Sequence, residues 1–374
     1  MSNFGLSIPA IRGMQGGRVF YVTNLPNAFL ANMLSKAQPA VESSQRALDP
    51  KHAAAIADYI KENQKEYVMG ALTYAMDRDG RFISLDSDSS DGFSIGKLQV
   101  PLDAVFNSLD GQHRREAIIS TAAEYPGINQ DSTAVLIYVE PDLIAKKQMF
   151  SDMNSTPKKV SNSLNVAFNN RDPFARVAKE IVRKHELLIG KVEEQAPRVK
   201  PESDMFFSLS SIQDTMKKLF VGSAGRVKDL ASFDDKKIAE RGTDFFNILR
   251  KARSEYGAAA KSHEDLVRLR TETILFSSTT LRAVAGAVYK AAQYYEVSDL
   301  KSIESKLVQK LSVIDFTVHS PLFIESGFIA EGSSTPSARN QEVISATNAI
   351  YEQLKDGTGK ESDAESRKNR RIIK

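Results

Sequence analysis

Ser108-Leu109-Asp110-Gly111-Gln112-His113-Arg114-Arg115-Glu116-Ala117 packs a carboxylate, an amide, an imidazole and two guanidiniums around one glycine. Upstream, Ala104-Val105-Phe106-Asn107-Ser108-Leu109 reads as a short buried strand. Downstream, Ala117, Ile118, Ala122 and Ala123 recur at helical spacing among polar or small neighbours. The stretch therefore falls where a strand turns into a helix. At a helix start the first N–H groups lack partners and the dipole is positive, so an anion is held there. Gly111 lets a ligand approach the backbone, and the two arginines can fork onto phosphate oxygens. Such a corner suits phosphate. Two plainer readings stay open: Asp110 as a simple N-cap, and His113, Arg114 and Arg115 as the solvated face of a surface helix.

On either side of this corner the chain alternates strand and helix. Asp49 is a candidate N-cap with Pro50 at the first helical position, predicting a helix to about Gln64 with Ala53, Ile56, Ala57 and Ile60 as its apolar stripe. Val68 to Met76 reads as a buried strand, and Asp79-Gly80 as a hairpin turn into Arg81-Phe82-Ile83. Thr133 to Val139 is the cleanest strand, and Pro141 opens a helix to about Asn154. This alternation over 19–154 predicts a compact α/β domain. From Thr156 the pattern turns helical, with helices predicted at 161–169, 173–187, 208–220, 235–255, 265–295 and 298–312. The expected fold class is α+β. Residues 1–155 form the α/β domain, 156–356 a helical domain, and 357–374 a charged, disordered tail.

Composition narrows the chemistry. Hydrophobic content of 41% and charged content of 26% over 374 residues describe an ordinary globular chain with enough apolar residues for two cores. Zero cysteines exclude disulfides, thiolate zinc sites, iron–sulfur clusters and a cysteine nucleophile. The five histidines show no metal-ligand spacing, so no metal site is expected. Asp86, Asp88 and Asp91 tempt a calcium reading, but the liganding glutamate of an EF-hand loop is missing. No Gly-x-x-x-x-Gly-Lys-Ser/Thr occurs, so any nucleotide chemistry is not of the P-loop type. The glycine-rich Gly13 to Gly17 segment is weak evidence alone. A net charge of +3 does not by itself imply nucleic acid. Neither a signal-type N-terminus nor an 18-residue apolar run is present, which predicts a cytoplasmic protein without membrane association.

Within the corner, the Gly111 amides, Arg114 and Arg115 are candidates to hold phosphates. Asp110 is a candidate to orient Mg²⁺ or an attacking water, and Gln112 or His113 to position or deprotonate that water. Gln45 and Arg46 precede the first helix and are candidates to bring a further cation to the same anion. Asn154, at a helix end, is a candidate polar contact or a plain C-cap. For DNA, 158–200 holds ten Lys/Arg against five acids. Lys158 and Lys159 open that stretch, and Arg176, Lys179 and Arg183 fall on one helix face, where they could track backbone phosphates. A solvated amphipathic face explains this charge equally well.

Asp110 to Arg114 spell DGQHR, and the chain resembles the DGQHR-domain proteins of the DndB (DNA sulfur modification) family. Ile8 to Gln15, Gln45 to Leu48 with Ile56 to Ile60, Ala71 to Thr73, Gln148 to Asn154, Asn170 to Pro173 and Phe207 to Ile212 match that family in order. The likeness covers roughly residues 6–215. It implies a ParB/sulfiredoxin-like N-terminal core in which a helix start binds nucleotide phosphates. It also implies a bacterial, DNA-binding transcriptional regulator beside phosphorothioation genes, with duplex DNA as partner. A related group implies an NTP hydrolase, using ATP or another NTP with Mg²⁺, that partners a 7-deazaguanine-type modification complex. A pure scaffold of such a complex and a homo-oligomer are also compatible with the resemblance.

Overall fold

The computed structural model describes residues 4–33, 48–85, 93–140, 142–155, 160–225, 227 and 230–356. Gln45, Arg46, Lys158 and Lys159, the aspartates of the 86–92 loop and the 357–374 tail lie outside the described residues. The chain divides into two compact units, Met1–Lys158 and Lys159–Lys374.

In the first unit, β1 (Phe4–Gln15) and β2 (Arg18–Pro26) form an antiparallel hairpin. Its turn is Gly16-Gly17, with φ of 56° and 76°, the left-handed conformation that two-residue hairpins demand. The glycine cluster is thus the end of a ribbon. There follow α1 (Asn27–Met33), α2 (Pro50–Glu62), β3 (Leu72–Met76), β4 (Arg81–Ser84), β5 (Ser94–Pro101), β6 (Phe106–Asp110), α3 (Gln112–Glu124), β7 (Ser132–Val139) and α4 (Leu143–Ser155). The seven strands make one mixed sheet in the order β4-β5-β1-β2-β7-β3-β6, with β3 and β7 parallel and the other pairs antiparallel.

The hairpin expected at Asp79-Gly80 does not form. All five residues of β3 are buried, and both its edges are taken, by β6 and by β7. β4 pairs instead with β5, Phe82 facing Leu98, and exposes most of its side chains. Alternation along the strands then splits the interior. Leu72, Tyr74 and Met76 of β3 join Ala57 and Ile60 of α2 and Ala117 and Ile118 of α3 in one cluster. Ala75, Leu109 and Tyr138 meet Met149 of α4 in another. α2 starts where the sequence places it, because the Asp49 side chain accepts from the Lys51 amide at 2.9 Å and Pro50 needs no acceptor.

The second unit is mostly helical: α5 (Asn162–Phe168), α6 (Pro173–Lys184), the short pair β8 (Val192–Glu193) and β9 (Phe207–Ser208), then α7 (Leu209–Val221), α8 (Asp235–Ala252), α9 (Ser254–Lys261), α10 (His263–Glu272), α11 (Ser278–Tyr294), α12 (Glu304–Ser312), α13 (Pro321–Glu325) and α14 (Asn340–Leu354). Phe174, Phe245, Phe246, Phe316 and Phe328 sit in its single core. Two predicted helices are each a pair. The one expected over 265–295 breaks after Glu272, where the Ile274 amide donates to the Phe316 carbonyl at 2.9 Å and Ser277 caps α11. The apolar period runs unbroken through this link because Ile274 and Leu275 are themselves buried. The one expected over 235–255 breaks at Arg253, whose guanidinium donates to the carbonyls of Leu311 and Ile314 at 3.2 and 2.8 Å.

Candidate functional site

β6 is an edge strand, and its last residue, Asp110, leads directly into the turn before α3. Gly111 is the N-cap, at φ 91°, and being a glycine it gives no side-chain cap. A Cβ at Gly111 would lie 2.6 Å from Leu72 Cδ2, so conformation and space both require glycine there. Asp110 does not act as the cap. It accepts a hydrogen bond from Arg114 Nη2 at 2.5 Å, one turn along. With the carboxylate about half exposed, such a pair contributes roughly 0–1 kcal/mol, weak enough for an incoming anion to compete. The same guanidinium lies over Gly70, where a Cβ would come within 2.4 Å of Nη1. Two glycines, from separate segments, therefore clear the slot that Arg114 occupies.

His113 ties this helix start to another. Its Nε2 accepts the Asp49 amide at 2.9 Å, which puts the proton of the neutral ring on Nδ1. His52, in the first turn of α2, meets the His113 ring edge-on with centroids 4.9 Å apart. A cleft of about 290 Å³ opens at this junction. It gathers Asp110, Gly111, Gln112, His113 and Arg114 with Asn154 of α4, six of the residues singled out from sequence. Asn154 Nδ2 donates to the Phe150 carbonyl of its own helix at 2.8 Å, as a C-terminal cap would.

Arg115 does not line the cleft; its charge acts on the sheet beside it. There the buried Tyr74 hydroxyl has no hydrogen-bond partner. Burial pushes the Tyr74 phenol well above its ordinary range, and Arg115 and Arg114 pull it back. The cleft also holds His52, Ile56 and Phe150, which sequence reasoning did not select. His52 carried one local signal, its position just inside a capped helix. Gly70 carried none, since only the folded chain brings it against Arg114. Among the described residues no group of three or more acidic or histidine side chains could hold a metal ion.

The predicted DNA-facing cations are placed differently. Arg176 donates to both Asp235 oxygens, at 2.8 and 2.7 Å, and to the carbonyls of Asn170 and Arg171 at 2.7 and 2.9 Å. Lys179 donates to the carbonyls of Ala167 and Asn169 at 3.1 and 3.0 Å and to Asn170 Oδ1 at 2.6 Å, closing the end of α5. Burial, with Arg183 and Arg176 nearby, holds the Lys179 amine below its usual range. Arg183 is exposed and, among the described residues, forms no ion pair. It lines a shallow groove of about 420 Å³ with Arg176, Lys179 and Lys184.

Fold and cleft together define an α+β protein with a mixed seven-stranded sheet, a helical second unit, and a glycine-capped helix start opening on a cleft beside an arginine. Residues 8–357 match the model of the family described as DndB, DNA-sulfur modification-associated. The chain belongs to that family, and this associates it with DNA sulfur modification. No curated protein and no solved structure matches the chain. No helix among the described residues is long and apolar enough to cross a membrane.

Proposed function

We propose that this chain is a DNA-binding regulator of a phosphorothioation-type modification cluster, and that its DGQHR cleft takes a phosphate-bearing ligand. The observation that carries this reading is the start of α3: a left-handed glycine as N-cap, which puts no side chain over the first turn, and Arg114 held on Asp110 within the same cleft. A nucleotide phosphate at that turn accepts from amides of the first turn and draws the Arg114 guanidinium onto its oxygens. Asp110, released, becomes available to Mg²⁺ or to a water. Arg46 and Gln45 stand three and four positions before Asp49 and supply further contacts to the same ligand. This strand–turn–helix arrangement is what a ParB/sulfiredoxin-like core would use. Duplex DNA is the partner of the helical unit, with Lys158, Lys159 and Arg183 as phosphate contacts and Arg176 and Lys179 shaping the groove that Arg183 lines.

A second reading, an NTPase partner of a 7-deazaguanine-type modification complex, is favoured by the presence of Asp110, Gln112 and His113 in the cleft that holds Arg114. One experiment separates the two. ATP, GTP and CTP are titrated with Mg²⁺, with and without duplex DNA, while binding and phosphate release are followed together. Binding that Arg114→Ala removes, without turnover, is the expected result. Turnover that Asp110→Ala abolishes moves the assignment to the hydrolase. A cleft that binds none of the three nucleotides ends both.

A further inference from the structure

The sides along which α7 and α11 meet carry cations that neither the cleft nor α6 accounts for. Asp214 and Lys218 stand one turn apart on α7, and Arg282, Gly286 and Lys290 recur at four-residue steps on α11, so each set lies along one side of its helix. Arg282 Nη1 is 3.6 Å from Asp214 Oδ2. Gly286 lets Thr347 of α14 pack closely, with its Cγ2 3.0 Å from where a Cβ would lie, and the Lys218 stem passes beside it at 3.8 Å. Among the described residues the Lys218 ammonium reaches only the Gly222 carbonyl, at 3.4 Å, the outer limit of a hydrogen bond. Lys290 donates to the neutral Asn348 Oδ1.

Lys218, Arg282 and Lys290 are all half-buried, and Asp214 is the carboxylate that Arg282 and Lys218 face, with Lys217 of α7 also acting on it. Among the described residues neither Lys218 nor Lys290 has an acid within ion-pair distance, and the buried Arg282 Nε has no hydrogen-bond partner. Burial, Arg282 and Lys290 all hold the Lys218 amine below its usual range. Burial also pushes the Asp214 carboxyl up against the pull of Arg282, so the single counter-charge is a weak one. Like charges kept together at partial burial, with donors left over, have the character of a seat for an anion that supplies both the missing charge and the missing acceptors.

We infer that the α7–α11 face binds a phosphate-type oxyanion between Lys218, Arg282 and Lys290. A tetrahedral anion offers separate oxygens to the guanidinium fork and to two ammonium groups, which a planar carboxylate does not. The anion is either a free phosphate group or a phosphodiester of duplex DNA. The site stands on the helical unit alone and does not rest on the reading of the DGQHR cleft.

Hydrogen exchange on the full chain, read peptide by peptide, tests this with inorganic phosphate at fixed ionic strength, a chloride control, and a short duplex. At about ten times the dissociation constant, opening of the α7 and α11 segments falls about tenfold. The double substitution Lys218→Gln with Lys290→Gln removes that protection. Because it relieves repulsion, the variant melts no lower than the parent in anion-free buffer. Protection by phosphate alone identifies a free-anion site, and protection by the duplex alone identifies backbone phosphate; either supports the inference. No protection by either, protection that persists in the variant, or a lower melting temperature of the variant overturns it. Peptides from α2 and α3 report the cleft separately in the same run.

Discussion

The arginines at the start of α3 and the cations along α6 both stand out as clusters in the chain, yet their surroundings set them to different work. In front of α3 the helix cap is a glycine, which has no side chain to offer the first-turn amides, and Arg114 meets the half-exposed carboxylate of Asp110. At α6 the cap is Asp172, which accepts from the Phe174 amide at 2.8 Å, and Arg176 and Lys179 are spent on carbonyls and on Asp235. The lesson is about acceptors. A cation is available to a ligand where the backbone around it has left donors rather than carbonyl oxygens uncovered. Of the three cations on that face of α6, Arg176 and Lys179 hold the helical unit together, while Arg183 is exposed and forms no ion pair among the described residues.

Substitutions can break this contrast, the largest effect first. Gly111→Val forces a branched side chain to φ 91° and into Leu72, and is expected to cost about 2–4 kcal/mol in denaturant unfolding. An unchanged midpoint would show that the turn is not constrained. Arg114→Ala is expected to weaken nucleotide binding about 10- to 100-fold in calorimetric titration while moving stability by less than about 1 kcal/mol. Arg176→Ala should give the mirror image: a loss of about 1–2 kcal/mol, discounted for the partial exposure of its pair with Asp235, and no change in cleft binding. If instead Arg176→Ala weakens nucleotide binding and leaves stability alone, the assignment of work to the two regions is reversed. Gly70→Ala should act more gently than either, displacing the flexible end of Arg114 and lowering affinity about threefold to tenfold, with the melting temperature unmoved.

The smallest effect is a pH dependence confined to the helical unit. His185 is buried, its Nε2 lies 3.2 Å from Asn247 Oδ1, and its Nδ1 accepts the Leu187 amide. Burial lowers its pKa in the fold, so the unfolded chain takes up the proton more readily. Stability is therefore full above about pH 6.5 and declines as the pH falls below that value. His185→Gln should flatten this part of the profile; a slope that survives the substitution would assign it to other groups.

Much of this was legible in the chain because it is local. Asp49-Pro50, Ser208 and Asp172 announce helix starts by their own side chains, and Asp110-Gly111 announces a strand-to-helix corner. What was not legible depends on residues far apart. Nothing near β4 says that its partner is β5 rather than β3, because the decision is made at β3, whose edges are already filled. The apolar period across 273–276 looks helical because buried extended residues carry the same mark as a helix face. Six of the candidate site residues do share one cleft, but Arg115, the immediate neighbour of Arg114, lies outside it, and the adjacency of the two arginines could not reveal that. The service that Arg176 gives to Asp235, 59 positions away, was equally hidden.

The order of the sheet has a consequence for how the molecule comes into being. β2 finds its second neighbour only in β7, and the buried bond from Thr133 Oγ1 to Asn27 Oδ1 spans 106 positions. At a synthesis rate of roughly 5–20 residues per second, the first hairpin waits on the order of ten seconds for that strand to be made. β3 waits for β7 as well, so the wall against which the cleft is built is completed last in its unit. In the helical unit, long-range bonds such as that from Arg270 to the Pro201 carbonyl span 69 positions, so the wait there is shorter. During translation the ribbon of β1 and β2 therefore stands with a row of backbone N–H and C=O groups unpaired along β2, and this is the interval in which the nascent chain is most open to misassembly.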